Sequence, residues 1–518
     1  MRIDRRTMYM MTAPQQLKIE HMDEKEWALE CAARILKRKH AAGTRHIQRI
    51  LSLEAIVNDL KSKLNKKEKI LKKITESSWE VIPFSIKQGP ETFPAKVSVI
   101  IPVKDAGEQL GRLLTKIRSQ KKVPDLEIIV LDSGSKDGSI VVAQGFGATV
   151  LQVPPGEFNH GATRNLGARA ANGEFIVFTV QDSLPTSDYW LYRMLCPFIQ
   201  FPDLAALSAK QIVKPEADLF SLWSAAGMSR LLGFDSDVVY RKAAGNQSLE
   251  LNHLDSTTKR RVTFFDNVSS CVRASVFHEM QFSPLMNAED IDFGVRLFTQ
   301  GKVIGYLTTA GVYHWHERGA NHVFRRHYIG VKSSIYTMKN DQEYFFRINS
   351  IDWDTLASYM AGAYELINAA VHECGKQPID RPIGKIEAFL KSLQKFLDEP
   401  DKIPSVQGKS EDAPGSLAPL IDQIVALTVI SPEQKYDFKM NFFINDFMAR
   451  FKDFASYLCT NCETLEGREL DFNNTILKIF AQSAGDNLGY FFIEEETLGR
   501  LTPDMVTLNH SLGKGICY

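Results

Sequence analysis

Between Val97 and Val180 the chain alternates short β-branched apolar runs with amphipathic segments, an order that few folds accept. Val97–Val103 reads as a buried strand, Gln109–Ser119 as a helix and Glu127–Leu131 as a second strand. Ser139–Phe146 reads as a helix, Thr149–Val153 as a short strand, Thr163–Ala171 as a helix and Phe175–Val180 as another buried strand. Runs this apolar need cover on both faces. The βαβαβ order predicts an α/β fold with a mainly parallel sheet and helices on both sides.

The flanks read differently. Ile50, Val57, Leu64 and Leu71 stand seven apart, and Leu53, Leu60, Lys67 and Ile74 each follow by three. That a/d pattern fits a short coiled coil at about 50–74 that joins copies of the chain, or one amphipathic helix packed on its own chain. The expected organisation is an N-terminal helical segment at 1–82, an α/β domain at 95–335 and a helical region at 341–518. Pro83, Gly89, Pro90 and Pro94 punctuate the first junction. In the last region Trp353–His372, Lys385–Leu397, Leu417–Thr428 and Lys435–Cys459 carry helical patterns, with a linker at Pro400–Ser416.

Charge and cysteines exclude some classes. Lys+Arg and Asp+Glu are both 62, so the net charge is zero and no nucleic-acid partner is expected. The seven cysteines are odd in number and dispersed, unlike a disulfide framework, and Cys459-x-x-Cys462 lacks the second pair of a structural zinc site. No run approaches the roughly 18 apolar residues that cross a bilayer. Arg2, Arg5 and Arg6 are followed by no apolar stretch of the kind a secretory signal needs. These features predict a cytoplasmic protein, with peripheral contact at the inner face of a membrane left open.

In an open α/β sheet, ligands bind beyond the carboxyl ends of the strands. The polar residues of this chain fall there. Pro102-Val103-Lys104-Asp105-Ala106-Gly107 follows the first strand and Asp132-Ser133-Gly134-Ser135-Lys136-Asp137-Gly138 the second. Asp132 there fits a contact to a base or ribose, or an ordinary helix-capping turn. Arg164 stands in the first turn of the Thr163–Ala171 helix, where a cation opposes the macrodipole, so it needs a partner such as a base, ribose or phosphate oxygen. Phe175–Val180 runs into Gln181-Asp182, and a carboxylate at a buried strand end calls for an ion pair or a metal. Glu289-Asp290 opens a helix at Ile291–Gln300, either as favourable helix charge or as a general base. On a strand, His314 and His316 would share a face and could complete a metal site with Asp182.

Together these segments resemble family 2 glycosyltransferases of the GT-A fold, over about Lys96–Gly330. Pro102–Gly107, Phe158–Asn165, Gln181-Asp182 and Tyr313–His316 look most like bacterial dTDP-rhamnosyltransferases. The resemblance implies a nucleotide-sugar donor held by Pro102, Lys104, Asp132, Arg164 and Gln181, with dTDP-β-L-rhamnose the expected donor. It implies Mg²⁺ or Mn²⁺ on Asp182 with His314 or His316, since the first Asp of the family's D-x-D motif falls on Val180. It implies Asp290 as the base of an inverting transfer, Glu289 as its orienting neighbour and Arg325 or Arg326 as help for the departing charge. The acceptor would be a glycan or lipid-linked saccharide of a bacterial surface polysaccharide. Residues 227–267, with Trp223 just upstream, would hold it or would pack ordinarily; Arg230, Phe234, Tyr240, Arg241 and Asn246 lie there. Another UDP- or GDP-sugar donor is the nearest alternative. An inactive GT-A scaffold acting within a complex is the other.

Overall fold

The computed structural model describes residues 79–513, apart from 85–88, 155, 234–236, 244–250, 252–253, 286, 339–350, 377–378 and 404–414. The heptad at 50–74 lies outside the described residues. Ser78–Tyr518 form one compact unit.

The strands are β1 (Trp79–Phe84), β2 (Val97–Val103), β3 (Leu126–Asp132), β4 (Thr149–Gln152), β5 (Phe175–Thr179), β6 (Leu184–Pro185), β7 (Leu204–Ile212), β8 (Val238–Ala243), β9 (Ser269–Arg273) and β10 (Val303–Tyr313). They make a ten-stranded sheet in the order β4-β3-β2-β5-β9-β7-β10-β8-β1, with β6 on the end of β10. β2, β3, β4 and β5 pair in parallel, as do β7 and β10. Only β6, β8 and β9 run against the rest. The sheet is therefore mixed, with most strands sharing one direction.

Two helical layers cover it. On one face lie α1 (Gly107–Arg118), α2 (Ser139–Gly145) and α4 (Trp190–Gln200); on the other lie α3 (His160–Ala170), α7 (Ala274–Glu279) and α8 (Glu289–Thr299). The helix α1 shows why the sequence obeys. Leu110, Leu113, Leu114 and Ile117 recur at helical spacing and are buried, while Lys116 and Arg118 end the helix where cations suit the dipole. Burial on both faces explains the unbroken apolar runs of β2 and β5.

The remaining helices form a second body of core. They are α5 (Leu219–Leu232) within the sheet region, then α9 (Ala320–Met338), α10 (Trp353–Gly375), α11 (Pro382–Asp398), α12 (Ala418–Val425), α13 (Pro432–Lys435), α14 (Phe442–Asn461), α15 (Glu469–Thr497) and α16 (Pro503–Gly513), whereas α6 (Ser256–Val262) packs through Val262 in the sheet core with α7 and α8. One continuous apolar cluster joins Leu219 and Trp223 of α5 and Phe324 and Tyr328 of α9 to α10, α14 and α15. The crossing of α9 and α15 is close: a Cβ on Gly485 would sit 2.3 Å from the Phe324 carbonyl oxygen. The helical pattern expected over Lys435–Cys459 is divided, because Tyr436–Asn441 leave α13 and Asn441 caps α14. The 29-residue α15 had no counterpart in the sequence reading.

Among the described residues no helix is long and apolar enough to cross a membrane. The described cysteines, Cys196, Cys271, Cys374, Cys459 and Cys462, are all free thiols.

Candidate active site

The loops after β2, β3, β5, β7 and β10 share one edge of the sheet. β9 adds to them from the other direction: because it runs antiparallel to β5 and β7, the residues before it, Asp266 and Asn267, arrive at that same edge.

Gln181 ties the first loop to the fifth strand. The Lys104 backbone N–H donates to its Oε1 at 2.8 Å, and its Nε2 donates to the Lys104 carbonyl at 3.1 Å. Pro102 lies within β2 and is half-buried. Asp132 is only 1% exposed, and its carboxylate accepts the backbone N–H groups of Gly134 and Ser135 at 3.1 and 3.2 Å. It shapes the turn it stands in. Exposed Asp105, at φ 45°, accepts the Lys136 N–H at 2.7 Å and joins the two loops.

Arg164 differs from expectation. Asn159 caps α3 by accepting the Ala162 N–H, so the helix begins at His160 and Arg164 falls in its second turn. Its Nη1 donates to Glu289 Oε1 at 2.9 Å, with both side chains almost wholly buried. The partner inferred for Arg164 is therefore a carboxylate of this chain, and the guanidinium is enclosed between α3 and α8. Gly161 permits that approach, since a Cβ there would lie 2.0 Å from the Ser283 carbonyl oxygen. Asn267 Nδ2 also donates to Glu289 Oε1, at 3.1 Å.

Asp290 follows, half-buried, in the first turn of α8. Ala288 just before it holds a left-handed φ of 63°, a strained conformation for a side chain with a Cβ. Burial, with the nearby carboxylates of Glu289 and Asp266, pushes Asp290 up to about 7; the Ile291 N–H and Arg164 oppose the shift only weakly.

Asp182, His314 and His316 converge. Each offers one ligand atom within 4.8 Å of the others. His314 Nε2 lies 3.6 Å from one carboxylate oxygen of Asp182 and His316 Nε2 3.5 Å from the other. The imidazoles meet edge to face at 4.7 Å. β10 ends at Tyr313, but the His314 N–H still bonds the Ile212 carbonyl, which keeps His314 in line with β7. Burial raises the Asp182 carboxyl, yet the two imidazoles outweigh it and hold the group below its usual range. Burial and His314 push His316 down to about 4, which leaves it a neutral donor at physiological pH. One carboxylate and two imidazoles suit Mn²⁺ better than Mg²⁺, which prefers oxygen ligands alone.

The sequence reading missed Gln211, Asp266 and Asn267. Gln211 Oε1 contacts His314 Nδ1 at 2.8 Å, and its Nε2 donates to Asp266. No motif marks these residues, and the reversed direction of β9 was needed to place them. Of the two arginines on α9, Arg325 is taken by Asn321 and the Ser511 carbonyl. Arg326 is exposed, and its charge reaches both His160 and His316. Of the residues suggested for acceptor contacts, Trp223, Tyr240 and Arg241 are buried, Arg230 is exposed, and Phe234 and Asn246 lie outside the described residues. Tyr240 and Arg241 are 0% exposed, and Trp223 Nε1 and Arg230 both donate to Asp453 at 2.7 Å.

A cleft of about 170 Å³ opens beside Asp182, lined by Arg112, Lys214, Tyr313 and Trp315 among others. A larger hollow, about 320 Å³, lies at the amino end of β5 by Asn172 and Arg273, away from these groups. The smaller cleft is the one that meets the chemistry.

Residues 98–242 match the family model "Glycosyl transferase family 2". The chain is 27% identical over 237 residues to the O-antigen chain rhamnosyltransferase RfbN of Salmonella typhimurium strain LT2, covering 45% of this chain and 70% of that protein. It is 24% identical over 235 residues to the O-antigen chain rhamnosyltransferase WbaN of Salmonella anatum, with the same coverage of 45% and 70%. Among solved structures, the mannosyltransferase PcManGT from Pyrobaculum calidifontis, in complex with GDP-Man and Mn²⁺, aligns at a TM-score of 0.37 and 14% identity over 76% of this chain and 92% of that one. Residues 98–242 thus match a family 2 glycosyltransferase domain, and the chain is similar to the O-antigen rhamnosyltransferases across it.

Proposed function

We propose that this protein transfers L-rhamnose from dTDP-β-L-rhamnose, with inversion, to a glycan or lipid-linked saccharide of a bacterial surface polysaccharide. The observation that carries the transferase chemistry is the gathering of Asp182, His314 and His316 at the sheet edge that also bears Asp290. The rhamnosyl donor is supported by the likeness to RfbN and WbaN.

Asp290 accepts the proton of the acceptor hydroxyl, a task that suits a carboxyl held near pH 7. The hydroxyl oxygen forms a bond to the anomeric carbon as the bond to the diphosphate breaks on the opposite face. Glu289, fixed by Arg164 and Asn267, keeps the start of α8 in place and keeps negative charge beside Asp290. Asp182, His314 and His316 would hold Mn²⁺ or Mg²⁺. Such an ion supplies positive charge against the departing diphosphate. Arg326 stands where it can add to that charge. Lys104 and Gln181 present the backbone edge of the nucleotide side.

The deciding experiment is nucleotide release from dTDP-rhamnose, UDP-sugars and GDP-sugars by the purified protein with Mn²⁺ or Mg²⁺. Release of dTDP alone is expected. Release from a UDP- or GDP-sugar instead reassigns the donor, and no release from any donor with a saccharide acceptor present rejects the enzymatic reading.

A further inference from the structure

We infer that Gln211 is a positioning residue that fixes the tautomer of His314 and so selects which of its nitrogens faces the cation. The inference rests on the proposed metal role of Asp182, His314 and His316 and deepens it.

A carboxylate only accepts, so the Gln211 group facing Asp266 must be its NH₂. The second Asp266 oxygen is already engaged by the Val268 N–H at 2.8 Å, and the Asp266 N–H is held by Ser208 Oγ at 2.9 Å. Asp266 is thus an anchored acceptor. With the amide pinned that way round, its Oε1 faces His314 Nδ1 at 2.8 Å. An oxygen there accepts, so Nδ1 carries the hydrogen. That leaves Nε2, the atom that lies 3.6 Å from Asp182, as the nitrogen a cation would take. The parallel pairing of β7 and β10 sets Gln211 against Val312, two residues before His314 and on the same face of the strand. The chain Asp266–Gln211–His314 therefore orients the imidazole, and its far end is one of the two carboxylates that, with burial, raise Asp290.

The test uses the full chain labelled with ¹⁵N-histidine, metal-free, with the His314 signal assigned through His314→Ala. In the wild type, His314 is expected as the Nδ1–H form. Gln211→Leu should show a mixture of tautomers and bind Mn²⁺ about 10–100-fold more weakly, the usual effect of losing a partner of a metal-bound histidine. Gln211→Glu retains an oxygen for Nδ1–H and should keep the tautomer, which a merely structural role would not require. Asp266→Asn removes the constraint on the amide and should loosen the tautomer without touching His314 directly. Thermal melting of each variant separates misfolding from loss of orientation, since the wild-type tautomer alone already decides the central point. A wild-type His314 in the Nε2–H form overturns the role of Gln211 while leaving the metal reading intact. Unchanged Mn²⁺ affinity in a folded Gln211→Leu protein also overturns it. A wild type that binds no Mn²⁺ overturns both.

Discussion

In the proposed transfer Asp290 is the base, and its environment sets a pH dependence. It must be ionised to accept a proton, and burial with two neighbouring carboxylates holds it near 7. Below that pH, kcat/KM is expected to fall about tenfold per unit, and above it to level off. Asp290→Asn should lower turnover by about 10²–10⁴-fold while nucleotide-sugar binding, followed by calorimetry, persists. Asp182→Ala should act on the other side, weakening Mn²⁺ binding and with it the affinity for the donor. The mixed carboxylate and imidazole set also orders the ions: Mn²⁺ should bind the wild type more tightly than Mg²⁺ in a direct titration. These residues were legible in the sequence because each interrupts an apolar strand end or opens a helix with like charges. Gln211 was not, because one amide in the middle of a chain has no pattern of its own.

At the level of elements, the site is held by the contact between α3 and α8. Its centre is the buried Arg164–Glu289 pair, flanked by Asn165, whose side chain donates to the Phe282 carbonyl at 2.8 Å and accepts its N–H at 3.1 Å. Breaking a buried pair from one side leaves an uncompensated charge. Arg164→Ala should therefore destabilise the protein by about 3–5 kcal/mol in urea unfolding. Activity should fall further than stability alone predicts, since α8 carries Asp290. The sequence marked Arg164 as a cation in need of a partner. It pointed to a ligand oxygen and not to Glu289, 125 residues away, because nothing local shows which helix lies opposite.

For the whole molecule, the helical region is continuous with the transferase sheet. Leu219, Trp223, Phe324 and Tyr328 are buried in one cluster with α10, α14 and α15. Polar clamps border it: Lys478 binds Asp218, and Asp471 accepts the Leu219 N–H. α5 follows the Gln211 strand and α9 follows the histidines, so both are anchored at the site and in the helical core. Ending the chain after residue 338 would expose the apolar faces of α5 and α9. Such a truncation is expected to aggregate or to be cut rapidly by protease, measured by light scattering and limited proteolysis; a soluble, monodisperse fragment with wild-type melting would refute that dependence.

Sequence alone determined the β2–β5 alternation, the amphipathic helices between those strands and the polar residues at the strand ends. Each of these follows from local periodicity and from where a charge can tolerate burial. It did not determine the reversal of β9, the pairing of Arg164 with Glu289, the Gln211–Asp266 support or the docking of α15 on α9. Those depend on which distant segments come to lie side by side, and neighbours in space impose no spacing on the chain. Tertiary structure decided them because buried charges and amides must find partners wherever the fold brings one within reach.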